Sequence, residues 1–336
     1  MSLPPQFENC LTLPVVAAPM FLASGPDLVL ACCRAGIVGT FPAKNQRTLE
    51  GFEEWLTTIQ AGLDAMAAET GRPPSPFGVN LIVHRTNRVI EDELALCVKY
   101  KVPLVITSLG AVPELIDEIH GYGGLVFHDV INLRHAKKAV AAGVDGLIAV
   151  AAGAGGHTGQ ASPFGLVNEI RQFFDGTLLL SGSLSTGKDI AAAQTMGADL
   201  AYLGTRFIST AECQSPDDYK QMIIDSQFAD IVATPAVSGV NANFLTASLE
   251  NAGVDLEAPN EHGLVDIDKE LAEALTSASN GFKAWRDIWS AGHGVGSIDD
   301  IPTVADLVAR LHAEYHAACA TQQAQLDRLV PMDRPA

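Results

Sequence analysis

The chain is short of several things, and each shortage excludes something. Basic residues are scarce: 21 Lys and Arg stand against 39 Asp and Glu, for a formal net charge of −18. Such a surface repels a phosphate backbone, so nucleic-acid binding is set aside as a function class. No apolar run reaches the ~18 residues that a membrane span requires. The opening MSLPPQFENC has neither a basic stretch nor an apolar one. No signal peptide is therefore expected, and the protein reads as cytoplasmic. The six cysteines (Cys10, Cys32, Cys33, Cys97, Cys213, Cys319) include no C-x-x-C pair. That spacing predicts reduced thiols, with neither disulfides nor a metal site.

A dinucleotide fingerprint is also missing. The first strand-to-helix turn reads APMFLASG, not G-x-G-x-x-G, which weakens the case for a doubly wound open sheet. What is present is a repeat. Short apolar runs, each of buried-strand length, lie at residues 14–18, 37–41, 77–83, 104–107, 125–128, 147–150, 177–180 and 200–203. Helix-like segments separate them at 27–35, 49–70, 87–100, 112–119, 133–142, 164–174 and 185–196. About eight strand–helix units by residue 210 is the arithmetic of a (β/α)8 TIM barrel. The repeat is lost from 211 to about 280, where helix-like pieces at 217–226 and 268–279 alternate with irregular links. The reading is therefore a barrel built from residues 1–210 and 296–336, with an inserted, mainly helical segment, 211–295, as a lid over the mouth. A terminal helix over 304–320 completes the barrel.

Glycine-rich loops cluster at the ends of the later strands: AAGAGGHTG (151–159), SGSLSTG (181–187) and LGTRF (203–207). Parallel strand–helix units bring such loops together at the carboxyl ends of the strands. Loops without side chains let backbone N–H groups approach a phosphate, helped by the positive end of the next helix. One imidazole, His157, sits in the first of these loops. The residues thus describe a phosphate-anchored cofactor with a histidine beside it. Asn80, in the otherwise apolar strand FGVNLIV, is a buried amide that must find partners. Arg206 reads either as a phosphate ligand or as the partner of an acidic residue. His128 either faces the cofactor or caps its strand. His293, in SAGHGVG (290–296), is either a polar group over the substrate or a surface-loop residue.

Taken together, APM (18–20), PFGVNL (76–81), HAKKAVAAGVDGL (135–147), AGGHTG, SGSLSTG, YLGTRF (202–207) and SAGHGVG resemble the nitronate monooxygenases, formerly 2-nitropropane dioxygenases. These are FMN-dependent barrel enzymes. The resemblance covers most of the chain, and AGGH combined with GTRF is its specific part. It implies FMN as cofactor, bound through Ala18, Pro19, Met20, Asn80, Gly155, Gly156, Gly182, Ser183, Tyr202, Leu203, Gly204 and Thr205. It implies His157 as the base that removes the proton beside the nitro group, with His128 and His293 near the substrate. The implied reaction oxidises alkyl nitronates or nitroalkanes with O2 to a carbonyl compound and nitrite. Related flavin barrels share these loops, so an FMN-dependent NAD(P)H:quinone or enoyl-thioester reductase stands as the alternative. A non-catalytic flavin-binding protein is the third reading. The partners implied are a small molecule and O2, with monomer and homodimer both open. The chain departs from the family pattern in having Val150 where Gln or Asp is frequent, Gly153 for Glu, GSL for GGI at 182–184, and His293 for Gln.

Overall fold

The computed structural model describes residues 3–256 and 285–329. Eight parallel strands form a closed ring: β1 (Val15–Ala17), β2 (Val38–Pro42), β3 (Phe77–Ile82), β4 (Leu104–Ser108), β5 (Leu125–Val130), β6 (Gly146–Val150), β8 (Thr177–Ser181) and β9 (Leu200–Leu203). The ring closes where β9 pairs with β1, Val16 opposite Tyr202. These strands read as unbroken apolar runs because both faces are covered. One face packs inside the ring, where Val16, Val38, Ile106, Ile148 and Leu179 meet and Phe7 lies edge-on to Phe127 at 6.0 Å. The other face packs under the helices, with Val79, Val105 and Leu180 against Leu56 and Ile116.

The helices begin and end where local chemistry dictates. Leu49–Thr70 starts at Thr48, whose side chain accepts from Gly51 N, and stops at Gly71 in the left-handed region (φ 65°). Leu133–Ala142 starts at Asn132, which accepts from His135 N. Gly187–Met196 opens on a reciprocal capping box between Thr186 and Asp189. The last described helix, Val304–Leu326, packs against Gly187–Met196 and Pro26–Arg34. It thus fills the expected place between the first and last barrel helices. Its contact with Gly187 is so close that a Cβ there would lie 2.2 Å from Leu311 O.

The expected insertion differs in character. After the helix Asp217–Asp225 come two strands, β10 (Ile231–Thr234) and β11 (Ala242–Leu245), then the helix Thr246–Asn251. β10 and β11 form an antiparallel hairpin, and β11 also pairs with β7 (Gly156–His157), a two-residue strand outside the barrel ring. Strand structure was not anticipated here, because these runs are too short to show a period and draw their order from a partner far along the chain. The expected helix at 268–279 lies outside the described residues. Among the described residues, no helix is long and apolar enough to cross a membrane.

Candidate active site

A cavity of about 590 Å³ lies at the carboxyl ends of the barrel strands, within the size range of small-molecule sites. Its walls come from the loops after β1, β3, β4, β5, β6, β8 and β9, from Tyr219 and from residues 285–294. Four glycine loops are tied into one unit. Gly153 O accepts from Ser183 N (3.2 Å) and from His293 N (2.9 Å), and Gly292 N donates to Thr205 Oγ1 (2.9 Å).

The glycines in that unit have different reasons for being glycine. Gly182 has φ +124°, and a Cβ there would lie 3.0 Å from Ala152 O, so the protein itself requires it. Gly155 is required by packing: a Cβ would meet Gly292 N at 2.9 Å. Gly204 is neither strained nor crowded. Its φ is −103°, and the nearest neighbours of a Cβ would be Ala18 Cβ and Met20 Sδ, both at 3.7 Å. The protein leaves this position open toward the cavity, at the first turn of Thr205–Ile208, where the N–H groups ahead of Phe207 have no intrahelical acceptor. A phosphate ester fits such a place. Ser185, in the lining, also has a buried Oγ without a hydrogen-bond partner.

The first loop and β3 shape another wall. Asn45 accepts from Leu22 N (2.9 Å) and donates to Met20 O (3.1 Å) and Ser24 O (2.7 Å), which fixes the course of Pro19 and Met20 along the cavity. Asn80 finds the partners its burial demands. Its Nδ2 donates to Ile106 O (3.1 Å) and Ser108 Oγ (2.8 Å), and Ser108 Oγ donates to Asp129 Oδ2 (2.5 Å). This Asn80–Ser108–Asp129 chain lines the cavity. Burial pushes the Asp129 carboxyl up to about 6, against the pull of the Ser108 hydroxyl. Tyr202, beside it, is raised well above the usual phenol range, by burial first and then by Asp129. Ser108 and Asp129 were not anticipated; the signal available was one acid inside the apolar run LVFHDV.

His157 is presented by β7, paired through Ala242 to β11. Asn243 Nδ2 donates to Ala154 O (2.7 Å) and Thr158 N to Asn241 O (3.2 Å), so the hairpin holds both ends of the AGGHT turn. The His157 ring meets Trp285 edge-on at 5.1 Å, and its Nε2 lies 3.4 Å from Ser238 Oγ. Surrounding protein pushes its pKa down to about 4, yet the ring is open to the cavity. At pH 7 it is therefore a neutral imidazole within reach of a ligand. His128 is buried, with Nδ1 2.7 Å from Thr107 Oγ1, and burial lowers it to about 4 as well.

The cavity thus gathers Ala18, Pro19, Met20, Asn80, His128, Gly155, Gly156, His157, Gly182, Ser183, Tyr202, Gly204 and Thr205. Two expected residues do not line it. Leu203 turns its side chain into the core outside the ring, and only its carbonyl takes part, accepting from Ala18 N (2.9 Å). His293 directs its ring at Phe228, edge-on at 4.7 Å. Arg206 resolves to the acidic-partner reading: it is 2% exposed and donates to Asp300 Oδ1, Asp300 O and Ser209 O. Among the described residues no group of three His, Cys, Asp or Glu could hold a metal ion.

Comparison with known proteins agrees with this geometry. The nitronate monooxygenase family model matches residues 43–314. A Rhodococcus jostii protein, (3aS,4S,5R,7aS)-5-hydroxy-7a-methyl-1-oxo-octahydro-1H-indene-4-carboxyl-CoA dehydrogenase, is 25% identical over 90% of this chain and 92% of its own. A nitronate monooxygenase from Paraburkholderia phytofirmans is 25% identical, over the same shares of 90% and 92%. Among solved structures, nitroalkane oxidase from Streptomyces ansochromogenes superimposes with a TM-score of 0.76 at 25% identity, covering 94% of this chain and 99% of that one. With its family model running from just after β2 into the last described helix, the chain belongs to the nitronate monooxygenase family of flavin-dependent oxidoreductases.

Proposed function

We propose that the cavity holds FMN and that the enzyme oxidises alkyl nitronates or nitroalkanes with O2, giving a carbonyl compound and nitrite. The observation that carries this reading is the neutral imidazole of His157, open to the same cavity as the uncrowded Gly204. The loops at Gly182–Ser183 and Gly204–Thr205 would hold the phosphate, and Pro19, Met20 and Asn80 would flank the ring system. When bound, the flavin supplies the electron acceptor and the reactivity toward O2. The chain's own part is positional and acid–base. His157 takes the proton from the carbon bearing the nitro group, as a general base does when neutral and within reach. The hairpin at β10–β11 keeps the imidazole in place. The described parts of the expected lid, 211–256 and 285–295, lend Tyr219, Val240 and Trp285 to the cavity wall and would keep bulk water from the reacting carbon. The cysteines would stay reduced in a cytoplasmic setting.

The second reading is an FMN-dependent NAD(P)H:quinone or enoyl-thioester reductase. Val150 favours it: an apolar side chain lines the cavity where a polar one is frequent in nitronate monooxygenases. The Rhodococcus relative, a dehydrogenase named for a carboxyl-CoA compound, points the same way. Anaerobic mixing separates the two. Bleaching of the flavin by a nitronate alone supports the first; bleaching by NADH or NADPH, with none by a nitronate, overturns it.

A further inference from the structure

We propose that the cavity mouth carries an anion subsite, formed by Arg134, His135 and Lys138, for the phosphorylated nucleotide tail of an elongated substrate or co-substrate. The proposal rests on the reading that the reactive end of that ligand lies at the flavin and His157. All three residues line the cavity and all three are exposed. Among the described residues, none of their side chains has an ion-pair or hydrogen-bond partner; only the His135 backbone N–H is engaged, by Asn132.

The setting makes this grouping informative. In a chain with 39 acidic and 21 basic residues, an acidic neighbour is easily supplied. The helix Leu133–Ala142, LRHAKKAVAA, has none, and its first turn has no acid either. Arg134 sits in the first turn, at the helix's positive end, which repels cations. A bound anion would turn that repulsion into attraction. The helix's other lysine, Lys137, is spent otherwise: its Nζ lies 5.4 Å over the Phe173 ring, and it does not line the cavity.

Position and charge then define the ligand class. The helix follows β5, whereas the Gly182 and Gly204 loops follow β8 and β9, further round the ring. This is therefore a second anion position, apart from the proposed FMN phosphate. A small nitronate enclosed beside His157 carries one charge and does not extend to an exposed rim. Cations at 134 and 138, with the His135 imidazole as a further polar group beside them, suit a group with two or more negative charges, which phosphate monoesters have. Leu109 and Ile131 also line the cavity and are 57% and 40% exposed. They offer an apolar lip for the linker between a reactive head and a charged tail. Two sources share this chemistry: an acyl thioester on a nucleotide with a 3′-phosphate, and a nicotinamide dinucleotide with a 2′-phosphate.

The test titrates flavin-loaded protein with adenosine 3′,5′-bisphosphate and with adenosine 2′,5′-bisphosphate by calorimetry, at low and raised salt. The tighter probe names the source. Its affinity should fall ~10-fold or more in Arg134→Gln/Lys138→Gln, since two charge-assisted contacts are lost, and should weaken with salt. Lys137→Gln removes the same kind of charge from the same helix away from the cavity, and should leave the affinity within twofold. Binding of neither probe, equal binding by the double variant, or an equal loss in Lys137→Gln would overturn the subsite. Bound flavin and its bleaching by a nitronate report separately on the underlying reading, so either can fail alone.

Discussion

His157 and Trp285 meet edge to face, their ring centroids 5.1 Å apart at an interplanar angle of 71°. The indole closes one side of the imidazole and leaves another side to the cavity. If the histidine is the base, it acts only on a substrate that still has its proton. His157→Asn should cut flavin reduction by a neutral nitroalkane ~10²–10⁴-fold, keep FMN bound, and largely spare a pre-formed nitronate. Stopped-flow traces with both forms decide this; equal loss on both would leave His157 a positioning role only.

The pH dependence follows from the protein that surrounds the same ring. The His157 pKa is lowered from 6.5 to about 4, so the imidazole is already in its basic form above about pH 5. Flavin reduction by the neutral nitroalkane should therefore show no histidine limb between about pH 5.5 and 7.5, and should decline only as the pH approaches 4. A limb centred near ~6.5, the ordinary histidine value, would mean that the ring is fully hydrated.

Gly182 and Gly204 should respond differently to the same substitution. Gly204→Val meets ordinary contacts in the protein, so its melting temperature should stay within a few degrees while FMN affinity drops ~10-fold or more, equivalent to ~1.4 kcal/mol. Gly182→Val forces a β-branched residue to φ +124° and should destabilise the fold itself, by ~1–3 kcal/mol. Thermal melts with and without added FMN separate the two outcomes.

Asp129 supplies a stability test with a definite sign. Its folded pKa is raised from 3.8 to about 6, so between these values the folded state binds more protons than the unfolded one. Its ionised carboxylate therefore opposes folding above pH 6, and that opposition fades as the pH falls toward 4. Asp129→Asn keeps an acceptor for Ser108 and should raise stability at pH 8 by ~1–2 kcal/mol, allowing for cavity water. The gain should shrink as acid is added. Denaturant melts at pH 8 and pH 4.5 check this; a gain that is larger at pH 4.5 would refute it.

Much of the barrel was legible because a strand covered on both faces leaves an unmistakable apolar run. Leu49–Thr70, Leu133–Ala142 and Leu200–Leu203 have the bounds read from sequence. That the glycine loops and His157 would meet at one cavity was legible because parallel strand–helix units gather such loops at one end of the ring. Orientation was not. Arg206 follows Gly204 as a phosphate ligand would, but the helical turn carries its guanidinium to Asp300, 94 residues on. His293 lies in a glycine loop over the mouth, yet Phe228 claims its ring. The β10–β11 hairpin and the Asn80–Ser108–Asp129 chain exist through contacts between distant segments, which no local pattern encodes.

The pairing of Ala242 with His157 also sets an order in time. Once residue 203 has left the ribosome, β9 can close the ring on β1. The hairpin that seats His157 has yet to be made, and at ~5–20 residues per second it follows some seconds later. A nascent chain, or one cut between β9 and β10, therefore lacks the strand that pairs with His157. On the proposed function, such a chain would lack a positioned base, so a half-made copy would generate no product.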